Sequence, residues 1–310
     1  MTTQQRNILV VAHARRDETI AAALRVIGAL TSAGARPVLP GDDPEIVAAL
    51  ASIGPLAALG TDVEVGDIEL AIVLGGDGTI LRAAELVREG TAPILGINMG
   101  HVGFLAEIEA DVIDDAMQRV IDRDYDVEER MALSVRVKDA PGAVIYETWA
   151  LNEATVEKAA RERMMEVILE IDGRPLSSFG CDGIVIATPT GSTAYNFSAG
   201  GPVIWPTVEA IAVVPLSAHA LFARPLVVGP EASVAIEVLA RTDGTGILWC
   251  DGRRSHDLPP GARVVVRRSR RSVRLARLHP APFTDRLVRK FQLPVTGWRG
   301  PDTTVVKDAL

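Results

Sequence analysis

The hydrophobic period of this chain changes once, near Tyr125, and no other feature limits its fold so strongly. Ahead of that point short apolar runs alternate with segments of helical spacing, the pattern of a parallel α/β sheet. NILVVA (7–12) reads as a first strand. Asp17 can cap a helix whose Ile20, Ala23, Leu24 and Ile27 recur on one face, with Gly34 at its stop. RPVLP (36–40) reads as a second strand, and Asp43–Pro44 as the start of a helix running past Ile46, Ala49 and Leu50. LAIVL (70–74) and PILGIN (93–98) supply two more strands. Helix faces follow them at Ile80, Ala83, Ala84 and Val87, and at Ile113, Ala116, Met117, Val120 and Ile121.

Beyond Tyr125 the period is two. Leu133, Val135 and Val137 alternate with Ser134, Arg136 and Lys138, and Val167, Leu169 and Ile171 repeat the pattern. SVAIEVLA, ILWCDGRR and VRLARL continue it between Asp-Gly and Gly-Pro turn signals, so antiparallel pairing is expected. The predicted fold is α/β plus mainly β. A Rossmann-like parallel α/β domain occupies 1–125, an antiparallel β-sandwich-like domain occupies 126–282, and a segment at 283–310 packs back on the N-terminal domain. Its helical stripe, Phe283, Leu287 and Phe291, is too small to stand alone.

Several function classes drop out. At 310 residues the chain exceeds the ~100–200 of one domain, and its formal net charge of −8 repels a phosphate backbone, which argues against a nucleic-acid partner. The N-terminus shows no basic leader with an apolar stretch behind it, and no apolar run approaches the ~18 residues of a membrane span. The expectation is a cytoplasmic protein without a membrane partner. Cys181 and Cys250 read as buried free thiols of a reducing compartment. The histidines lack metal-ligand spacing. The arginine-rich run RVVVRRSRRSVRLARL (263–278) has no aromatic residue, and its partly alternating valines predict a solvated hairpin face.

Three polar clusters remain. In LGGDGTIL (74–81) a glycine-rich turn joins a strand to a helix, where backbone N–H groups can approach a phosphate. Asp77 in its middle would repel that phosphate unless it accepts a proton, holds a hydroxyl or attends a metal; a helix cap is the plain alternative. Arg82, in the first turn, faces either a phosphate or solvent. WALNEATVEK (149–158) places Asn152 beside Glu153, whose side chains point to opposite faces unless the strand bends. CDGIVIATPTGSTAYNFSAGGP (181–202) combines Asp182, a Thr/Ser-rich turn and Tyr195, suited to a ribose, a phosphate or a ring, or to no more than a cap and turn.

GGDGT (75–79), NMGHVGFL (98–105), NE (152–153) and DGIVIATPTGSTAY (182–195), in this order, resemble the NAD kinase family, and the likeness extends to FTDRL (283–287). GGDG alone also resembles lipid kinases and phosphofructokinases. The resemblance implies transfer of a phosphoryl group from ATP, or from inorganic polyphosphate, to the 2′-hydroxyl of the adenosine ribose of NAD, with Mg²⁺ or another divalent cation. It makes Asp77 the general base, with Gly76 and Gly78 in the phosphate-facing turn and Phe104 lining the adenine pocket. Asn152 and Glu153 would hold ribose and phosphate groups, the latter through the cation. Thr193, Ala194, Tyr195, Asn196, Phe197 and Ser198 would surround adenine or nicotinamide, and Arg163 and Arg253 fall on ligand-contacting positions. Asp182 would reach a neighbouring subunit's ligand, which implies a homodimer or homotetramer. Gly180 departs from the family pattern, where several relatives carry an arginine, and so does Arg253, at a position that is often glutamine. A lipid kinase would associate with membranes and leaves the second and third clusters without a role. A dinucleotide sensor that lost its activity would have no need of Asp77.

Overall fold

The computed structural model describes residues 5–13, 16–42, 44–50, 53–54, 56–100, 103–106, 108–109, 112–160, 164–241, 245–279 and 282–295. The chain divides into two compact units, Met1–Val127 with Ala276–Leu310, and Glu128–Leu275. Among the described residues no helix is long and apolar enough to cross a membrane.

In the first unit β1 (Asn7–Ala12), α1 (Asp17–Ser32), β2 (Arg36–Leu39), α2 (Pro44–Ala49), β3 (Ala57–Ala58) and β4 (Ile68–Leu74) come first. They are followed by α3 (Asp77–Leu86), β5 (Ile94–Asn98), β6 (Ile108–Glu109) and α4 (Ile113–Asp122). The strands order as β3-β2-β1-β4-β5, with β6 on β5, and these pairings are parallel. Parallel strands covered on both faces need continuous apolar runs, and Leu70 to Leu74 are wholly buried. The helices seal the core through Ala23, Val26, Ile27 and Leu30 of α1 and Ile113, Ala116, Met117 and Val120 of α4.

Asp17 is the first helical residue of α1 and makes no capping bond; Arg16 holds the cap position. The acid still opposes the positive helix end. Gly34 closes the helix at φ +77°, a conformation that suits glycine. Asp43 lies outside the described residues, and α2 stops at Ala49, just short of Leu50.

Strand order reverses between β1 and β4, whose last residues, Ala12 and Leu74, lie in register. The chain leaves β4 into Gly75 at the carboxyl edge of this switch point, where open α/β sheets bind ligands.

β7 (Asp126–Arg130) carries the chain toward the second unit, which holds β8 (Leu133–Lys138), β9 (Val144–Ala150), β10 (Glu153–Lys158), β11 (Met165–Ile171), β12 (Arg174–Cys181) and β13 (Gly183–Ala187). After α5 (Tyr195–Ser198) come β14 (Ile211–Leu216), β15 (Leu226–Val228), β16 (Val234–Val238), β17 (Gly246–Cys250), β18 (Arg254–Leu258) and β19 (Arg263–Arg268). They form two antiparallel sheets, β15-β14-β13-β10-β17-β18 and β12-β11-β16-β19-β8-β9. Leu133, Val135 and Val264 of one sheet share a core with Val156, Ile184 and Leu248 of the other, as in a sandwich. Cys181 and Cys250 are free thiols in that core.

The arginine-rich run is not a hairpin. β19 pairs with β16 and β8, whereas β20 (Val273–Arg277) joins the parallel-stranded sheet between β5 and β7. The reason is burial: Val264 and Val266 belong to the sandwich core and Ala276 to the α/β core, so the turn between them transfers the chain. Two of its arginines are in ion pairs, Arg263 with Glu170 at 2.5 and 2.6 Å and Arg268 with Glu209 at 2.8 Å. The last described element is α6 (Phe283–Phe291), within the first unit.

Arg6 ties three elements of the α/β unit together. Its guanidinium grips both oxygens of Glu69 on β4 at 2.7 to 3.1 Å and donates to the Val120 and Ile121 carbonyls at the end of α4. Burial alone would raise the Glu69 carboxyl, but hydrogen bonds from Arg6 and Arg123 hold it below its ordinary range. Arg6→Ala is expected to lower unfolding stability by about 1–3 kcal/mol, and Arg6→Lys to recover only part, because lysine lacks the planar fork. An unchanged urea midpoint for Arg6→Ala would refute this role.

Candidate active site

In the first unit the site grows from the turn between β4 and α3. Gly76 is the N-cap and Asp77 the first helical residue, with no side-chain capping bond, so the plain cap reading of Asp77 does not hold. Its carboxylate instead reaches across to a later loop: Oδ2 accepts the Phe104 N–H and Oδ1 the Leu105 N–H, each at 3.1 Å. A Cβ on Gly103 would overlap Oδ1, so a side chain there would push the Asp77 carboxylate from this position. Gly76 and Gly78 differ, since a Cβ at either meets nothing within 4 Å. Packing does not require them, whereas a ligand approaching the backbone at a helix N-terminus would. Arg82 pairs with Asp42 at 3.0 Å. The Phe104 ring lies between Phe283 and Phe291, at centroid distances of 6.0 and 5.7 Å.

In the second unit the strand run containing Asn152 and Glu153 does bend. β9 ends at Ala150, the chain turns at Leu151 and Asn152, and β10 starts at Glu153, so the two polar neighbours are both buried. Asp251 holds the bend: its carboxylate accepts the N–H groups of Leu151 at 3.0 Å and Asn152 at 2.7 Å, and its own N–H donates to the Glu153 carbonyl. Arg254 donates to the same carboxylate at 2.6 Å and lies 4.5 Å from the centre of the Trp149 ring. From the other side, the Thr188 N–H donates to the Asn152 carbonyl and the Thr188 hydroxyl to the Leu151 carbonyl. A Cβ on Gly191 would overlap the Asn152 carbonyl, which fixes glycine in the TPTGST turn.

Glu153 and Asp251 form a buried acidic pair. Burial, reinforced by the Asp251 charge, pushes Glu153 up to about 8 against the backbone N–H of Tyr195 that it accepts. Burial also raises Asp251, countered by its N–H donors and Arg254. Oε2 of Glu153 is buried with no hydrogen-bond partner. An acid of this kind stays protonated near neutrality until a cation or donor arrives.

The predicted Thr193 to Ser198 segment is a 3-10 turn followed by α5. Tyr195 and Phe197 are exposed, Ser198 is exposed, and Thr193 and Ala194 are half-buried. Asn196 is wholly buried and donates to the Ser192 and Pro202 carbonyls, so it holds the turn. Asp182 is not brought to the acidic pair. Glu153 lies opposite Ala187 and Glu157 opposite Gly183, which puts Asp182 beyond the far end of β13, in an ion pair with Lys158 at 2.5 Å. Arg253 is exposed in the turn after β17. Arg163 lies outside the described residues. Asp251 was missed because the sequence offers it only as an Asp-Gly turn; its one visible oddity is its place directly after the apolar ILWC strand.

Residues 58–125 match the family model for the ATP-NAD kinase N-terminal domain, and residues 151–278 the model for the ATP-NAD kinase C-terminal domain. The chain is 64% identical over 299 residues to an NAD kinase of Leifsonia xyli, covering 96% of this chain and 98% of the relative. It is 51% identical over 310 residues to one of Mycolicibacterium paratuberculosis, covering 97% and 100%. Among solved structures, the yeast NADH kinase complexed with NADH superposes with a TM-score of 0.85 at 22% identity, covering 96% of this chain and 90% of that one. An NAD kinase from Archaeoglobus fulgidus in complex with ATP gives 0.70 at 25% identity, covering 93% and 99%.

The raised Glu153 carboxyl has a thermodynamic signature. Its ordinary value is 4.5 and its folded value about 8. Between those limits the folded protein keeps a proton that the unfolded chain has released, so this group makes stability fall as pH rises through the window. Glu153→Gln should flatten that slope in denaturation midpoints taken from about pH 5 to about pH 8; parallel curves for the two proteins would disprove the assignment. The glycines give a second test. Gly191→Ala should cost about 1–3 kcal/mol through overpacking, whereas Gly78→Ala should leave the melting temperature unchanged or raised, and equal melting temperatures would contradict the steric distinction.

Proposed function

The chain belongs to the NAD kinase family and phosphorylates NAD to NADP, and we propose that Asp77 is the general base of that reaction. The ribose 2′-hydroxyl attacks the terminal phosphorus of the donor. Its O–H proton passes to the Asp77 carboxylate as the new O–P bond forms and the bridging bond to the leaving phosphate breaks. The observation that carries this reading is the orientation of Asp77: two backbone N–H groups fix the carboxylate beside glycines that packing does not require. The remaining lone pairs of its oxygens can take the proton. The N–H groups at the start of α3, opened by Gly76 and Gly78, receive the phosphates.

ATP is the donor we favour, supported by the ATP in the Archaeoglobus relative; inorganic polyphosphate presents the same terminal group. Mg²⁺ or another divalent cation fits Glu153, whose buried Oε2 has no partner and is a hard oxygen donor. A cation held by Glu153 would take its remaining oxygen ligands from the phosphates of the bound nucleotide and from water. When bound, the cation neutralises phosphate charge. Asn152 hydrogen-bonds the ribose. Tyr195 and Phe197 offer rings for stacking, with Thr193, Ala194 and Ser198 around them, and Asn196 keeps the turn in shape. Phe104 walls the adenine pocket, and Arg82, Arg163 and Arg253 supply positive charge. Asp182, at the far end of β13, serves a neighbouring subunit's ligand in a homodimer or homotetramer. The enzyme works in the cytoplasm.

A coupled assay for NADP, run with NAD, Mg²⁺ and either ATP or polyphosphate, tests the base. Asp77→Asn should lose about 10²–10⁴ in kcat while still binding NAD. Wild-type turnover in that variant would eliminate Asp77 as base, and production with only one donor would fix donor preference.

A further inference from the structure

Resting on Asp77 as the base, we infer that α6 is a positioning element for the reaction, with Arg286, Phe283 and Phe291 holding the loop that orients the carboxylate. The residue pair Phe104–Leu105 has all four backbone polar groups engaged. Both N–H groups go to Asp77, the Phe104 carbonyl accepts Arg286 Nη1 at 2.8 Å, and the Leu105 carbonyl accepts Arg277 Nη1 at 3.3 Å. Arg286 belongs to α6 and Arg277 ends β20, so both carbonyl anchors come from the C-terminal part of the chain. The same helix closes on the loop a second time, through the two phenylalanines flanking the Phe104 ring.

α6 is a poor core element. It spans nine residues and buries none of them. A helix so short does not persist by itself in water, and what it grips is Phe104. The stripe Phe283, Leu287, Phe291 places both flanking rings on one face, two turns apart. Gly103 adds the complementary constraint on the other side, because the Asp77 carboxylate fills the space of a side chain there. The loop is therefore held between the acid and the helix. If α6 lets go, the N–H groups drift and the carboxylate loses its aim. Misplacement of a reacting group by about 1 Å can cost about 10²-fold.

The experiment uses the full chain. Arg286→Ala and Phe291→Ala, with the milder Arg286→Lys and Phe291→Leu and with Asp77→Asn, are compared by kcat, KM for NAD, melting temperature and hydrogen exchange of the peptide containing residues 104 and 105. The alanine variants should lose about 10- to 100-fold in kcat, and exchange should accelerate at that peptide ahead of the rest. The lysine and leucine variants should recover most of the turnover. Faster exchange with wild-type kcat would overturn the inference. So would a kcat loss that tracks a general fall in melting temperature and is not recovered by the milder variants. Failure of the base reading is seen separately, as an active Asp77→Asn protein.

Discussion

A carboxylate that accepts two consecutive backbone N–H groups recurs in each unit, and the site chemistry depends on it. Asp77 takes Phe104 and Leu105 in the α/β unit; Asp251 takes Leu151 and Asn152 in the β unit. Charge-assisted bonds of this kind are about twice as strong as neutral ones, and the paired geometry fixes rotation as well as distance. Each acid thus converts an irregular stretch of chain into a defined surface. Asp251 from one side and Thr188 from the other hold the run from Trp149 to Lys158 bent at Leu151 and Asn152, where a continuous strand would turn one of the two polar neighbours outward.

The two acids have opposite surroundings. Asp251 is almost wholly buried and engaged by the backbone N–H groups of Leu151, Asn152 and Glu153 and by Arg254, so its capacity is spent on structure. Its charge falls on Glu153, which burial has already pushed toward the protonated form. One fixed acid therefore prepares a second, and Oε2 of Glu153 is left as a buried polar atom without a partner. Leaving such an atom unsatisfied costs roughly 1–3 kcal/mol, a cost that a protein retains where a ligand supplies the missing partner.

Periodicity carried most of the fold. Continuous apolar runs became the buried parallel strands, and the alternation of Leu133, Val135 and Val137 became a sandwich face, because period and burial are linked by geometry. Local pattern does not encode which strands pair. The arginine-rich run had the look of a hairpin, yet β19 and β20 enter different sheets, as only the distant partners of Val264 and Ala276 reveal. The site was legible where a motif is local, as in GGDGT, NE and TPTGSTAY. It was illegible where function is assembled over distance: Asp251 lies about a hundred residues from the bend it holds, and Arg286 is 182 residues from Phe104.

The glycines make the same point more sharply. In sequence Gly76, Gly78, Gly103 and Gly191 look alike, each beside a polar cluster. In the structure two of them are forced by protein atoms, Gly103 by the Asp77 carboxylate and Gly191 by the Asn152 carbonyl, while Gly76 and Gly78 face open space. The forced pair explains how the chain holds its acid and its bend. The unforced pair requires a different explanation, since neither packing nor a left-handed backbone demands glycine there. On the proposed function, a phosphate seated on the N–H groups that open α3 would supply it, and the transferred group would then lie beside the Asp77 carboxylate, whose orientation is set by the Phe104–Leu105 loop that α6 holds.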